Sequence, residues 1–294
     1  MKRRDILNGM ALLAAAPMMM TKAALAKGDA ESLPHKTANV EGCVALVTGA
    51  NRGVGLGFVE VLLERGAKRV YATGRNPNNL PAVVALDPKR VVPLVLDVNN
   101  QDHRRAAAEA ATDLTWLINN AGYPGDATAT ERRILSSENL DDCKMVMETN
   151  CWSPAELARL FTPIILKNGG GAIANILSGA SWFCLPEYTS YSMSKAAGMM
   201  MTAGLRAELD RDPILVASVF TGGVETRTVP SSFTGASPKE HAREVLDAMA
   251  RGDTDVYAAG SRAMRGLITA DPEAWERRRI DSFYNDPLTI RLHE

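Results

Sequence analysis

The sequence predicts an α/β protein with a single domain, in which helices flank a doubly wound parallel sheet. Short runs rich in Val, Ile and Ala alternate with longer amphipathic runs, which is the order expected of strands and helices that wind a parallel sheet. Glycine or polar residues follow several apolar runs, where such sheets bind ligands. The 294 residues are 46% hydrophobic with a formal net charge of −1, which permits a large core and gives no sign of a nucleic-acid partner.

The first 26 residues are predicted to be an export signal and not part of the fold. Arg3 and Arg4 precede a mildly apolar run, and Ala24-Leu25-Ala26 offers a small-x-small cleavage site. Paired arginines before such a run resemble a twin-arginine signal, and the run is shorter than the roughly 20 residues of a membrane span. We expect an exported, periplasmic protein with a polar linker over residues 27–40 and no stable membrane span after cleavage. The alternative is a cytoplasmic protein with a basic tail.

A glycine-rich turn follows the first predicted strand. The run from Val44 leads into Thr48-Gly-Ala-Asn-Arg-Gly-Val-Gly55, and an amphipathic stretch begins there. Glycines at 49, 53 and 55 permit a tight turn and let a pyrophosphate approach the N–H groups of a helix N-terminus. The order of strand, turn and helix therefore predicts a dinucleotide site.

The end of the second predicted strand, Arg69 to Thr73, carries no carboxylate. Folds that prefer NAD place Asp or Glu about 20 residues past the glycines, where it binds the ribose 2′-OH. Here Arg75 stands at that point and Arg52 lies within the glycine turn, and guanidinium groups suit a 2′-phosphate. The sequence therefore favours NADP(H) over NAD(H), with two solvated arginines as the alternative.

Two further predicted strands end in polar residues. The run from Val91 ends at Asp97-Val98, placed to meet adenine, and the run from Leu114 ends at Asn119-Asn-Ala-Gly122. Because the carboxyl ends of parallel strands meet at one edge of a sheet, these residues are expected to lie beside the glycine turn.

The residues with catalytic chemistry are concentrated between Ser178 and Lys195. Tyr191 and Lys195 are four residues apart and would share one helix face, and Ser178 ends an apolar run that predicts a buried strand. A nearby ammonium lowers a phenol pKa from about 10. Tyr191 could then exchange a proton with a substrate oxygen that Ser178 holds in place. A Tyr-x-x-x-Lys pair alone is common on surface helices, so its weight depends on the other motifs.

Taken in order, these motifs resemble the short-chain dehydrogenase/reductase superfamily, over residues 41 to about 226. The similarity is greatest to its single-domain ketone and aldehyde reductases, and it implies a Rossmann-type fold over residues 41–294. It implies that Tyr191 is the catalytic acid/base, that Ser178 positions the substrate oxygen, and that Lys195 lowers the phenol pKa and binds the nicotinamide ribose. Asn150 would hold a water of a proton relay, and a helix kink is its other interpretation.

The cofactor contacts that the resemblance implies involve Thr48, Gly49, Asn51, Arg52, Gly53, Val54, Gly55, Arg75, Asp97, Val98, Asn119, Ala121, Gly122, Tyr191, Lys195, Gly222, Val224 and Thr226. One departure concerns the last of these. The family usually has Pro-Gly after the sixth strand, whereas this chain has Thr221-Gly222. Losing the proline frees the backbone, so a looser loop is expected there.

The function implied is an NADP(H)-dependent oxidoreductase that interconverts a small-molecule ketone or aldehyde and an alcohol, as a homodimer or homotetramer. A non-catalytic NADP(H)-binding sensor on the same scaffold is the alternative. Residues 227–240 are expected to form a mobile substrate loop or an ordinary linker. Trp182 and Phe183 either line an apolar substrate pocket or belong to the core. No metal site is expected, and the four cysteines are expected to be free buried thiols.

Overall fold

Seven parallel strands form one sheet in the computed structural model, which describes residues 36–126, 134–135, 137–225 and 235–285. The strands of this described part are β1 (Val44–Val47), β2 (Arg69–Gly74), β3 (Val91–Val95), β4 (Trp116–Asn119), β5 (Gly171–Ser178), β6 (Ile214–Thr221) and β7 (Asp255–Ala258). Their order is β3-β2-β1-β4-β5-β6-β7. The order reverses between β1 and β4, where doubly wound sheets bind ligands. The predicted fold class is confirmed.

Helices cover both faces of this sheet. They are α1 (Gly53–Glu64), α2 (Pro81–Val84), α3 (Gln101–Ala110), α4 (Asp141–Met147), α5 (Ser153–Lys167), α6 (Thr189–Glu208), α7 (Pro238–Ala250), α8 (Ser261–Ala270) and α9 (Pro272–Asn285). A capping box between Ser237 and Glu240 begins α7.

Alternate residues of each strand enter two different hydrophobic clusters. In β1, Ala45 and Val47 pack with residues of α1 and α7. Val44 and Leu46 pack with residues of α3 and α5 on the opposite face. Because side chains alternate between the faces of a strand, a strand covered on both sides must be apolar throughout. This explains the uninterrupted apolar runs of the sequence.

The described chain begins with residues that pack on the domain. Ala38 and Val40 are buried, and the Ala38 N–H donates to the Met249 carbonyl at 3.2 Å. Lys36 Nζ donates to the Leu209 carbonyl at 2.6 Å. The last five residues of the predicted linker 27–40 therefore belong to the compact unit, which starts at Lys36. The predicted signal 1–26 and residues 27–35 lie outside the described residues.

The C-terminal helices lie against the loop that follows β5. Met264 of α8 closes the space beside Gly179, where a Cβ would clash with its sulfur. Trp275 of α9 meets Phe183 edge-on, with ring centroids 5.2 Å apart. The helices α8 and α9 therefore border the loop that begins directly after Ser178. No helix in the described part of the chain is both long and apolar enough to cross a membrane.

One of the four cysteines is exposed, whereas all four were expected to be buried. Cys43 and Cys151 are buried thiols, and burial raises the pKa of Cys43 to about 12. Cys184 is exposed, because it lies in the loop between β5 and α6.

Candidate active site

The glycine turn after β1 has the backbone shape that only glycine adopts without strain. Gly49 has φ 64° and Gly53 has φ 55°, both in the left-handed region. A Cβ on Gly55 would clash with the Gly49 carbonyl and lie 2.6 Å from Asn120 Nδ2. Arg52 makes no side-chain cap at the start of α1, and the first turn holds no acidic residue. The N–H groups there are left for an anion, which fits a dinucleotide pyrophosphate.

The loop after β4 is joined to the glycine turn by hydrogen bonds. Asn120 Nδ2 donates to the carbonyls of Thr48 and Gly49 at 2.8 and 3.3 Å. The Thr48 hydroxyl accepts from the N–H groups of Asn120 and Ala121 at 2.9 and 2.8 Å. The Thr48 side chain is buried and therefore fixes the loop instead of pointing at a ligand. Sequence reasoning missed Asn120, since two adjacent asparagines cannot be told apart without their side-chain directions.

The Asn119 side chain points into the core, away from the predicted cofactor. Its Nδ2 donates to Asn175 Oδ1 at 2.8 Å, and Asn175 Nδ2 donates to Thr202 Oγ1 at 3.0 Å. All three residues are buried. The chain of hydrogen bonds joins β4, β5 and α6. A contact of Asn119 with a cofactor would therefore be made by its backbone, and the predicted contact stays a prediction.

The predicted adenine side of the site is open. Arg52 and Arg75 are exposed at the ends of β1 and β2. Asn51 Oδ1 would lie 3.6 Å from a Cβ on Gly74, so the two turns are adjacent. Val54 is half-buried at the start of α1.

The turn after β3 holds the other residues predicted to meet adenine. Asp97 is half-buried, and its carboxylate accepts from the Asn99 N–H at 3.1 Å. The Val98 side chain is buried in the core, so Val98 can reach a cofactor through its backbone alone.

The Ser178 hydroxyl lies next to the Tyr191 phenol, as a hydrogen-bonding neighbour that lowers the pKa of that phenol. The Ser178 hydroxyl also accepts from the Ala180 N–H at 3.2 Å. Ser178 ends β5 and Tyr191 lies in the first turn of α6. The structure therefore brings together two residues that are thirteen positions apart in the sequence.

Lys195 lies behind the phenol. Its Nζ lies 5.5 Å from the centroid of the Tyr191 ring and donates to the Ile176 carbonyl at 2.8 Å. A Cβ on Gly122 would lie 3.8 Å from the same nitrogen, so the loop after β4 passes next to it. Burial lowers the pKa of Lys195 to about 8, because desolvation disfavours the ammonium.

The pKa of Tyr191 moves in the direction opposite to the expectation. Burial raises it, and the hydrogen bond from Ser178 lowers it by less. The predicted lowering by Lys195 requires a strong ammonium field at the phenol oxygen, whereas here desolvation dominates. In this chain by itself, Tyr191 is a protonated phenol at neutral pH.

The Asn150 side chain forms hydrogen bonds with both the loop after β4 and helix α6. It lies in a π-helical turn, Glu148–Trp152, between α4 and α5, a feature that often marks functional sites. Its Oδ1 accepts from the Tyr123 N–H at 2.8 Å, and its Nδ2 donates to the Tyr123 carbonyl and to Ser194 Oγ at 2.8 and 2.9 Å. The π-helical turn is a local departure from α-helical geometry at Asn150, and the role of Asn150 in a proton relay stays a prediction. Because both N–H donors are used, a relay water could bind here only at Oδ1 or at a backbone carbonyl.

The loop after β6 is held despite the missing proline. The N–H groups of Gly222 and Gly223 donate to the carbonyls of Ala258 and Ala259, each at 3.0 Å. Val224 is buried and pairs with Ala236 in an isolated bridge. Over residues 221–225 these bonds restrain the backbone, and the looser loop stays a prediction. Thr226 lies outside the described residues.

Two serines that the sequence did not single out fix the loop between β5 and α6. The Ser181 hydroxyl donates to the Lys195 carbonyl at 3.1 Å. The Ser192 hydroxyl accepts from the Leu185 N–H at 2.9 Å. Both are buried. Alternating serines on α6 were a visible signal, but nothing in their spacing indicated which loop they would bind.

Trp182 belongs to an aromatic cluster. Its ring lies 4.5 Å from that of Phe220 and 5.8 Å from that of Tyr257. Trp182 is half-buried and belongs to neither hydrophobic cluster, so its assignment to the core or to a substrate pocket stays a prediction. The predicted substrate loop 227–240 falls largely outside the described residues, and its last part forms the Val224–Ala236 bridge and the cap of α7.

Serine, phenol and ammonium groups at the carboxyl edge of this sheet, beside a glycine turn, define a Rossmann-type oxidoreductase. The family model described as short chain dehydrogenase matches residues 43–236, and the chain belongs to this family.

Individual relatives agree with this assignment. The chain is 30% identical over 217 residues to an uncharacterized oxidoreductase of Staphylococcus aureus (strain N315), covering 70% of this chain and 90% of the relative. It is 32% identical over 195 residues to a short-chain dehydrogenase of Penicillium crustosum, covering 64% and 68%. A crystal structure of a short chain dehydrogenase from Burkholderia cenocepacia in complex with NADP has a TM-score of 0.73 and 38% identity, covering 82% of this chain and 98% of that one.

Proposed function

We propose that this protein is an NADP(H)-dependent oxidoreductase that interconverts a ketone or aldehyde and an alcohol. The observation that carries the proposal is the placement of the Ser178 hydroxyl next to the Tyr191 phenol, with Lys195 Nζ 5.5 Å from the centroid of the phenol ring. A phenol kept protonated by burial is the form that donates to a carbonyl oxygen. The experiment is to follow NADPH oxidation with the mature protein against a panel of ketones, aldehydes and quinones.

Each catalytic residue has a distinct task in this proposal. NADP(H) supplies the hydride chemistry when bound. In the reducing direction Tyr191 donates its proton to the substrate oxygen, and Ser178 donates a hydrogen bond to the same oxygen. Lys195 offsets the negative charge that develops on the phenol, and Asn150 keeps the surrounding loop and α6 in register through Tyr123 and Ser194.

Preference for NADP(H) rests on Arg52 and Arg75. Both are exposed where the first two strands end, and no carboxylate stands there to meet a ribose 2′-OH. The Burkholderia cenocepacia relative was crystallised in complex with NADP, which supports the same cofactor here.

Removing the Arg75 charge should weaken this preference. Arg75→Gln is expected to raise the KM for NADPH by roughly tenfold, as loss of a charge-assisted bond implies, and to leave the KM for NADH nearly unchanged. Steady-state kinetics with both cofactors measures the ratio. Arg105→Gln, at an exposed position of α3, is the matched control. Equal changes for NADPH and NADH would contradict the assignment of the 2′-phosphate to Arg75.

The two directions of reaction should respond differently to pH. Burial raises the pKa of Tyr191, so the acid needed for reduction is present throughout the neutral range. Lys195 has a pKa of about 8, and its support for the phenolate is lost above that value. We expect kcat/KM for reduction to be flat up to about pH 8 and to fall above it, and oxidation to rise with pH as phenolate forms. Oxidation that falls from pH 6 to 8 would contradict this.

The alternative function, a non-catalytic NADP(H)-binding sensor, makes a different prediction. NADPH binding without turnover of any compound in the panel would favour it. The complete set of Ser178, Tyr191 and Lys195, joined as described, favours the enzyme.

We also propose that the protein is exported through a twin-arginine signal, on the evidence of Arg3-Arg4 and the Ala24-Leu25-Ala26 site. Mass spectrometry of the native protein is expected to find an N-terminus at Lys27, and an intact Met1 would favour the cytoplasm. A homodimer or homotetramer stays a prediction. Exposed Trp152, Met193 and Met200 on contacting helical segments support it.

A further inference from the structure

One side-chain pair ties the end of β6 to the helix layer. Thr221 Oγ1 lies 3.0 Å from Nε2 of His241, within hydrogen-bond distance. Thr221 is the last residue of β6, and His241 lies near the start of α7. Thr221 stands where this family usually has a proline, and it directly precedes Gly222, a predicted cofactor contact.

Strand geometry directs Thr221 toward α7. Leu215, Ala217 and Val219 of β6 all belong to the cluster that packs against α1 and α7. Because alternate residues share one face of a strand, Thr221 continues this row. Its hydroxyl is a polar group at the end of an apolar row, and His241 is the partner that satisfies it.

His241 is itself held in place by close packing. Its side chain is fully buried, and its ring meets that of Phe58 of α1 edge-on, with centroids 5.9 Å apart and planes at 85°. The two helices come so close that a Cβ on Gly57 would clash with the Pro238 carbonyl. The imidazole therefore has little room to change its rotamer.

The His241 ring makes its hydrogen bond to Thr221 through Nε2. Burial lowers the pKa of His241 to about 4, so the ring is neutral at physiological pH with one donor and one acceptor nitrogen. Within the described part of the chain, Nδ1 has no hydrogen-bond partner. Burying a histidine costs more free energy than burying an aliphatic residue, and the hydrogen bond to Thr221 offsets part of that cost.

The backbone hydrogen bonds of the loop after β6 and the Thr221–His241 pair restrain this loop toward different parts of the fold. Gly222 and Gly223 donate to the outer strand at Ala258 and Ala259, which joins the loop to the edge of the sheet. The bond from Thr221 to His241 joins the same loop to the layer of α1 and α7. This bond restrains the backbone of the loop toward the helices, in addition to the bonds that restrain it toward the sheet. A proline at position 221 would instead restrict the φ angle of that one residue.

We propose that Thr221 and His241 are positioning residues that hold the segment after β6 in the conformation that receives the nicotinamide end of NADP(H). The inference rests on the proposed cofactor. The two side chains together supply the rigidity for which the family usually relies on proline.

The test uses Thr221→Val, His241→Leu and the double variant. Thr221→Val leaves a fully buried imidazole without its hydrogen bond, and His241→Leu leaves a half-buried hydroxyl without one. Both stability and NADPH affinity are therefore expected to fall, with a Kd roughly three- to tenfold weaker. In the double variant both partners are apolar, so the thermal midpoint should recover. The NADPH Kd should not recover, because the bond is still absent. A purely structural pair would instead restore affinity together with stability, and that result would overturn the proposal.

Hydrogen exchange of the apoprotein gives a measurement that needs no cofactor. Protection of the Gly222 and Gly223 amides is expected to fall in all three variants. Thr115→Val, which removes a hydroxyl bonded to the Val44 carbonyl at 3.2 Å, is the control, with NADPH Kd unchanged. If wild-type protein fails to bind NADPH, the proposed function fails. If wild type binds but the variants keep native protection and Kd, the positioning role fails.

Discussion

Tyr191→Phe is expected to lower turnover by about 10²–10⁴-fold, the usual contribution of general acid catalysis. The substitution removes the phenolic proton that Tyr191 delivers to a substrate oxygen in the proposed reaction. It keeps the aromatic ring against which Lys195 lies, and Ser178 retains its bond to the Ala180 N–H. The NADPH Kd should therefore stay within about twofold of wild type. Stopped-flow turnover and fluorescence titration of NADPH measure the two quantities separately.

Tyr71→Phe is the matched control for this variant. Its phenol donates to Asp113 at 2.8 Å, in the middle of β2 and away from the carboxyl edge of the sheet. Losing that bond should cost about 0.5–1.5 kcal/mol of stability and leave kcat unchanged. Retention of more than a tenth of wild-type turnover by Tyr191→Phe would remove Tyr191 from the role of catalytic acid.

Gly55→Ala is expected to weaken NADPH binding by about tenfold to a hundredfold, because overpacking of this kind typically costs about 1–3 kcal/mol. The new methyl group would collide with the Gly49 carbonyl and approach Asn120 Nδ2 to 2.6 Å. Both are rigid parts of the turn, since Asn120 is bonded to Thr48 and Gly49. The collision can be relieved only by opening the turn at the N-terminus of α1. Calorimetric titration of NADPH measures the change.

Gly266→Ala separates this effect from a general glycine effect. A Cβ at Gly266 has nothing within 4 Å, and the residue lies within α8. Alanine is better than glycine in a helix by about 0.5–1 kcal/mol, so unchanged affinity and equal or higher stability are expected. An unchanged NADPH Kd in Gly55→Ala would mean that the glycine turn is not the pyrophosphate site.

Local patterns were sufficient for the elements of the fold. The strand, glycine turn and helix from Val44 to Glu64 follow from residues that are neighbours in the chain. The four-residue spacing of Tyr191 and Lys195 places them on one side of α6, because helical geometry depends on local spacing alone. The end of β5 at Ser178 followed from an apolar run. Each of these features is a property of a short segment.

Contacts between distant segments were beyond such reasoning. Asn119 and Asn120 are adjacent and chemically identical, yet one side chain points into the core toward Asn175 and the other holds the glycine turn. The direction of the Tyr191 pKa shift also needed the surroundings, because it depends on how much desolvation competes with nearby charge.

By itself, the sequence determined the class of fold and the family resemblance, and it predicted Ser178, Tyr191 and Lys195 as the catalytic residues, because periodicity and motif spacing depend only on the order of residues. Only the tertiary structure decided which polar side chains meet. The bond between Thr221 and His241 forms because β6 and α7 pack together, and their contact depends on the whole sheet being assembled. Residues that meet because distant segments pack together are not separated by a regular spacing, so no periodic pattern in the sequence indicates their contact.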